Sequence, residues 1–247
     1  RGRDIKRYGY EWAGLYLIAT FPSRHYDIEL YPAVKKFLLS FAKESLIESG
    51  YQWVADSYLE EFCKQKLEQS GRFIEIQGKR IRIGKDDEKS RKKTSNKWFE
   101  TQDSISYWED FSKPKIVWAE LARTGNAFAL DFENHMVGNT GYVLTCPSSS
   151  HQELLYLLAF LNSRSTLYSL NHLTTRFDEN GWRWLRQFVE QLHIPPFIQM
   201  ENILSIVSSI NKENKRDISE EINNAIADIY GLSEEEVEYI NNSLLGY

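Results

Sequence analysis

Cysteine is nearly missing from this chain: two among 247 residues, Cys63 and Cys146. That is too few for a disulfide framework. Long apolar runs are missing too. The longest, such as Ile116–Trp118 and Leu154–Leu161, fall far short of the ~20 residues that span a bilayer. No secretory leader pattern is visible, so a cytoplasmic protein is the expectation. The five histidines and two cysteines lack metal-ligand spacing. Neither a phosphate-cradling glycine loop nor a nucleophile elbow occurs. Positive charge is in deficit: 30 Lys and Arg against 35 Asp and Glu leave a net charge of −5. A simple nucleic-acid binder needs a basic surface for its phosphate contacts, and the average here argues against one.

The distribution of charge softens that objection. Between Lys79 and Lys97 nine basic residues (Lys79, Arg80, Arg82, Lys85, Lys89, Arg91, Lys92, Lys93, Lys97) face only Asp86, Asp87 and Glu88. A second basic cluster, Arg1, Arg3, Lys6 and Arg7, opens the chain, with Asp4 spaced to orient one of them. The far end is biased the other way, with nine acidic residues from Glu213 to Glu238 against Lys215 and Arg216. The chain is polarised, not uniformly acidic.

Periodicity predicts an α+β fold. Trp12–Phe21, aromatic and β-branched and closed by Pro22, reads as a buried strand. Tyr31–Ile47 repeats apolar residues at helical spacing behind Pro32, and Tyr51–Leu67 reads as a weaker helix. Phe73–Ile76 and Arg80–Ile83 flank Gln77-Gly78-Lys79 as a β-hairpin, and Asp86–Lys97 reads as a polar loop. Short strands follow at Lys115–Glu120, Phe128–Asp131 and Tyr142–Cys146. Helices then dominate. Ser150–Glu153, Asp217–Glu220 and Ser233–Glu236 are capping-box sequences, and Gly231 is a helix stop between the last two. The predicted organisation is a sheet-containing recognition region over 1–199, a variable insertion at 51–97 within it, and a helical tail over 200–247.

Two short matches to catalytic loops carry nothing. Ile194-Pro195-Pro196-Phe197 copies the spacing of the adenine-methyltransferase loop, yet isoleucine cannot accept a hydrogen bond from the target amine. It reads as a turn behind a predicted helix over Trp182–Leu192. Glu213-Asn214-Lys215 has the letters of a magnesium nuclease motif, but no strand context and no upstream aspartate. His193, beside the prolines, reads as structural.

Five blocks in order carry a resemblance: Arg1–Tyr8 (RGRDIKRY), the Tyr31-Pro32 helix start, Lys113–Glu120 (KPKIVWAE), Leu161-Asn162-Ser163, and the closing YGLSEEEVEYI from Tyr230. Together they resemble the TaqI-like C-terminal specificity domain of adenine-specific DNA methyltransferases and single-chain type IIG restriction–modification enzymes. The stretch 51–97 aligns with no element of that pattern. The resemblance implies a target-recognition domain that binds double-stranded DNA, largely through the major groove, beside an N-terminal methyltransferase domain of the same polypeptide. S-adenosylmethionine, and magnesium if a nuclease is attached, would bind in the parent chain and not in this fragment. The start at Arg1, without methionine, fits an excised piece of a longer polypeptide.

On that reading the candidate DNA contacts are Arg3, Lys6, Arg7, Lys79, Arg80, Arg82, Lys92, Lys93, Lys97, Lys113, Lys115, Arg176 and Arg183. Arginine offers a planar fork to the O6 and N7 of guanine, and lysine a point charge to phosphate. A solvated hairpin face would give the same alternation at 80 and 82. An exposed terminus would give the same cluster at 1–7. The WRWLRQF pattern from Trp182 also fits an amphipathic helix with its tryptophans packed inward. No catalytic residue is found. The rival readings are a protein-interaction module using the acidic helical tail, and a catalytic fragment completed by a missing half.

Overall fold

The structure is a computed structural model that describes residues 1–38, 73–76, 79–82, 96–97, 99–101, 103–122, 125, 128–148, 150–178, 181–197, 201–207 and 219–245. It divides into two compact units, Arg1–Leu15 with Tyr107–Tyr247, and Tyr16–Ser106. The secondary structure is α+β, with small antiparallel sheets beside packed helices.

The first unit is built on β5 (Lys115–Ala119), flanked by the antiparallel strands β7 (Phe128–Asp131) and β8 (Gly141–Thr145). Ile116, Val117 and Trp118 are all buried, which explains why this strand reads as an unbroken apolar run instead of an alternation. Helix α2 (His151–Leu161) opens with the Ser150 side chain accepting from the Glu153 amide. It is apolar nearly all round because it is covered on two sides. Leu154, Leu158 and Leu161 join Ile116, Trp118 and Phe128 over the sheet. Tyr156, Ala159 and Phe160 join Ile203 and Val207 of α5 (Glu201–Val207) and Ile222 and Ile226 of α6 (Ser219–Tyr230).

The Leu161-Asn162-Ser163 tripeptide has a structural explanation. Leu161 fills the core, and Asn162 bonds the backbone of Phe128 twice. Its Oδ1 accepts from the Phe128 amide at 3.0 Å and its Nδ2 donates to the Phe128 carbonyl at 2.8 Å. Ser163 then caps α3 (Arg164–Leu173) by accepting from the Thr166 amide. One turn of polypeptide therefore seals the exposed edge of β7 and starts the next helix. The short hairpin of β1 (Ile5–Lys6) and β2 (Gly9–Tyr10) also rests on β7, with the Tyr8 amide donating to the Phe128 carbonyl at 2.9 Å.

A second sheet joins β6 (Leu121–Ala122), β10 (Gly181–Arg183) and β9 (Arg176–Asp178) in the order β6-β10-β9. The predicted helix over Trp182–Leu192 is therefore corrected. Trp182 lies in a strand, and helix α4 covers only Arg186–Val189. The two tryptophans do point inward, but by strand alternation: Trp182 and Trp184 are buried and Arg183 is exposed. The indole N–H of Trp118 donates to the Trp184 carbonyl at 2.8 Å, and Trp184 stacks on Phe128. The tail closes with α7 (Glu234–Ser243), whose Ser233 and Glu236 form the full predicted capping box. Gly231, at φ 67°, stops α6 in the left-handed conformation that glycine adopts at least cost. Of the third predicted box, Asp217 and Ile218 lie outside the described residues.

The second unit contains the predicted hairpin, β3 (Phe73–Ile76) and β4 (Lys79–Arg82), with β4 starting one residue before the expected Arg80 so that Lys79 pairs with Ile76, and helix α1, described over 32–38, with Pro32 as its first residue. Phe21, Ile28 and Phe99 are buried. The predicted strand over Trp12–Phe21 is not there. Trp12, Leu15, Tyr16, Leu17 and Ile18 are exposed and lie outside any strand. Strand propensity expresses itself only where a neighbouring strand supplies hydrogen bonds and a face to pack on. The weaker helix over 51–67, the rest of 39–47 and nearly all of the polar loop lie outside the described residues.

Candidate nucleic-acid interface

The structure brings part of the amino-terminal basic cluster and one distant arginine to the same end of β5. Gly2 packs so closely on Ala119 that a Cβ there would sit 3.1 Å from the alanine methyl. Arg1 and Arg3 therefore flank the strand's carboxyl end. Lys6 is tied in by donating from Nζ to the Arg3 carbonyl at 3.1 Å. Arg183 arrives from β10, its Nε 3.9 Å from a Glu120 carboxylate oxygen. Arg3, Lys6 and Arg183 each keep at least half of the side chain exposed, at 73, 51 and 50%. Three carboxylates lie among them: Glu120 beside Arg183, Glu11 at 3.9 Å from Lys6, and Asp4, which Arg1 occupies with two hydrogen bonds of 2.9 and 3.2 Å. Those bonds hold the Asp4 carboxyl down to about 2. Arg1 holds Asp4 most closely, and Arg3, largely exposed, lies 4.0 Å from it.

The other candidates go elsewhere. Arg7 turns to the start of α6 and donates to Ser219 Oγ at 3.2 Å. Lys113 precedes the opposite end of β5 and is paired with Asp110 at 2.7 Å. Lys115 is a correction. Its ammonium is entirely buried, 2.6 Å from Asp131 and 2.7 Å from the Phe111 carbonyl, and no phosphate can reach it. Arg176 lies over the ring of Trp182, 4.6 Å from its centroid. Arg183 emerges from the other side of β10, so the two arginines do not share a face. Lys97 belongs to the second unit, beside Phe99 and within 3.4 Å of the Tyr26 carbonyl. Lys79, Arg80 and Arg82 lie on β4, and Lys92 and Lys93 lie outside the described residues.

Sequence reasoning placed Arg1 in the basic cluster without giving it a role, and passed over His135. The ring of His135 packs edge-on to Tyr10 at 4.7 Å and beside Trp12 at 6.0 Å, and its Nδ1 lies 3.0 Å from the Asp131 carboxylate. Asp131 and His135 at i, i+4 were the only signal, and a strand end gives that spacing no meaning. Among the described residues, no three His, Cys, Asp or Glu side chains converge to hold a metal ion. The Ile194-Pro195-Pro196 segment is pinned by its backbone: the Tyr156 hydroxyl donates to the Pro195 carbonyl and the Tyr230 hydroxyl to that of His193. Ile194 itself packs against the core.

The TaqI-like C-terminal specificity domain matches residues 60–194, just over half of the chain. The chain belongs to that family. The match begins inside the stretch 51–97 that resembled no family element, and it ends at Ile194, short of the tail. No curated protein matches the chain. Among the described residues, no helix is long and apolar enough to cross a membrane.

Proposed function

We propose that this chain reads a short sequence of double-stranded DNA for a restriction–modification enzyme or an adenine-specific DNA methyltransferase. The observation that carries the reading is the exposed cationic group of Arg3, Lys6 and Arg183 at one end of β5, in a member of a specificity-domain family. Three such charges can follow one phosphate backbone while neighbouring side chains address base edges. The family itself supports a non-catalytic role. The chemistry then belongs to an N-terminal methyltransferase domain of the same cytoplasmic polypeptide, which would bind S-adenosylmethionine there, and magnesium if a nuclease is fused. Lys79, Arg80, Arg82, Lys92, Lys93 and Lys97 are proposed as a second group of phosphate contacts. Arg7, Lys113 and Arg176 rank behind both groups: Arg7 turns to Ser219, Lys113 sits before the other end of β5, and Arg176 lies over Trp182, away from the Arg183 face.

A protein-interaction reading draws on the tail. Helix α7 buries no residue fully and shows Tyr239 beside Glu234, Glu235, Glu236 and Glu238, with Leu245 exposed just past its end. Titration against random duplex at two salt concentrations separates the readings. DNA reading gives affinity that falls steeply with salt, with a slope of ~0.9 per phosphate contact. Salt-independent or undetectable binding overturns it. Methyl transfer or cleavage by this chain alone would overturn the assignment of the chemistry elsewhere.

A further inference from the structure

We propose that His135 is a specificity-determining residue, whose Nε2 accepts a hydrogen bond from the exocyclic amine of an adenine or cytosine in the target. The inference rests on the DNA reading above and goes beyond it, since it names a residue and the base chemistry it selects.

The geometry fixes which ring nitrogen carries the proton. Strand β7 ends at Asp131, and the next turn folds back over that carboxylate, with Asn134 in the left-handed region at φ 60°. One carboxylate oxygen accepts from the Glu133 amide at 2.9 Å and faces His135 Nδ1 at 3.0 Å. The other accepts from the His135 amide at 2.9 Å and lies 2.6 Å from Lys115 Nζ. Such a carboxylate has no proton to give, so Nδ1 is the donor. In the neutral imidazole, Nε2 is then left as an acceptor. The ring cannot easily turn away, because Tyr10 and Trp12 flank it and the Tyr10 hydroxyl is itself held by Glu133 at 2.9 Å.

The outer edge of the ring is reachable. The His135 side chain is 26% exposed, and Nε2 has no hydrogen-bond partner among the described residues. Trp12, beside the ring, is exposed, as are Phe132 and Met136 on the same turn. Lys6, a proposed phosphate contact, is on β1, paired with the strand that carries Tyr10. A fixed lone pair selects by sign. The N6 amine of adenine and the N4 amine of cytosine donate in the major groove, whereas the O6 and N7 of guanine and the O4 of thymine would meet it lone pair to lone pair.

The test is selection of bound sequences from a randomised duplex library, using the 247-residue chain and its His135→Phe variant. Phenylalanine keeps a ring against Tyr10 and Trp12 and removes Nε2. The expected result is a wild-type motif with adenine or cytosine at one position, where the variant loses two- to tenfold in preference, the range for one neutral hydrogen bond. A purely structural role would lower affinity evenly and leave the motif unchanged. The same motif from both proteins overturns the proposal and leaves the DNA reading standing. No enriched motif from wild type overturns both. If the variant fails to fold, wild type is titrated against selected duplexes carrying, position by position, base analogues without the exocyclic amine. A two- to tenfold loss at one position supports the proposal, and loss at none overturns it.

Discussion

The ammonium of Lys115 and the carboxylate of Asp131 meet at 2.6 Å across paired positions of β5 and β7, with no solvent access to either. The pair is structural, and its energetics are asymmetric. Removing the lysine leaves a buried carboxylate facing the core, so Lys115→Met is expected to lower stability by about 3–5 kcal/mol. Adding Asp131→Leu removes the orphan charge but strands the amides of Glu133 and His135. The double variant should be less damaged than the sum of the singles, yet still below wild type. A double-mutant cycle by urea unfolding measures this. A single-variant loss under 1 kcal/mol would mean that the ammonium is wetted.

The same carboxylate sets an acid limit. Burial pushes the Asp131 carboxyl up, but hydrogen bonds from Lys115 and His135 and the Glu133 amide outweigh it and hold it below the ordinary range. The unfolded chain, with an aspartate value of about 3.9, therefore takes up its proton first as pH falls. Stability from this group is fully present above the unfolded value. It is lost as pH drops below about 5 toward the lower folded value. Urea midpoints at several pH values should fall on acidification in wild type and fall less in Asp131→Asn. Parallel curves for the two proteins would contradict this.

Lys115 also shows why a sequence can name elements and miss a site. The strand around it was plain from Ile116, Val117 and Trp118, but its partner lies sixteen positions away and no local pattern announces it. The β3–β4 hairpin, the caps at Ser150 and Ser233 and the stop at Gly231 were readable because each is decided within four or five residues. Trp12–Phe21 satisfied strand composition, yet no strand forms there. Trp182-Arg183-Trp184 alternates with period two, and a helical reading of the seven-residue pattern hid that. Arg3, Lys6 and Arg183 were named singly. Their common address at the end of β5 depends on Gly2 meeting Ala119, which only the folded chain reveals.

Asn162 offers a sharper stability test, because its side chain replaces a strand neighbour. It pairs with both the amide and the carbonyl of Phe128 inside the core. Asn162→Leu is nearly isosteric but leaves that buried amide without its partner, at a cost of roughly 1–3 kcal/mol. Asn162→Asp keeps the acceptor and turns a donor into a charge facing a carbonyl, and should be worse near neutral pH. The order of urea midpoints, wild type above Leu above Asp, checks the assignment. Equal midpoints for all three would show that water substitutes for the amide.

The cationic group at the end of β5 makes a prediction about slope, not affinity alone. If Arg3, Lys6 and Arg183 each neutralise one phosphate, changing all three to glutamine removes about three released counterions. The slope of log affinity against log salt should then become shallower by roughly 2.7. Lys113→Gln is the matched control. It removes the same unit charge from an exposed lysine, but one paired with Asp110 before the other end of the strand. Its slope should stay within experimental error of wild type, although the net charge changes by the same amount per residue. Fluorescence titrations between 50 and 200 mM salt, about the range over which such contacts separate, decide it. A triple variant with an unchanged slope would remove this end of β5 from the DNA path. An equal change from Lys113→Gln would mean that only overall charge matters.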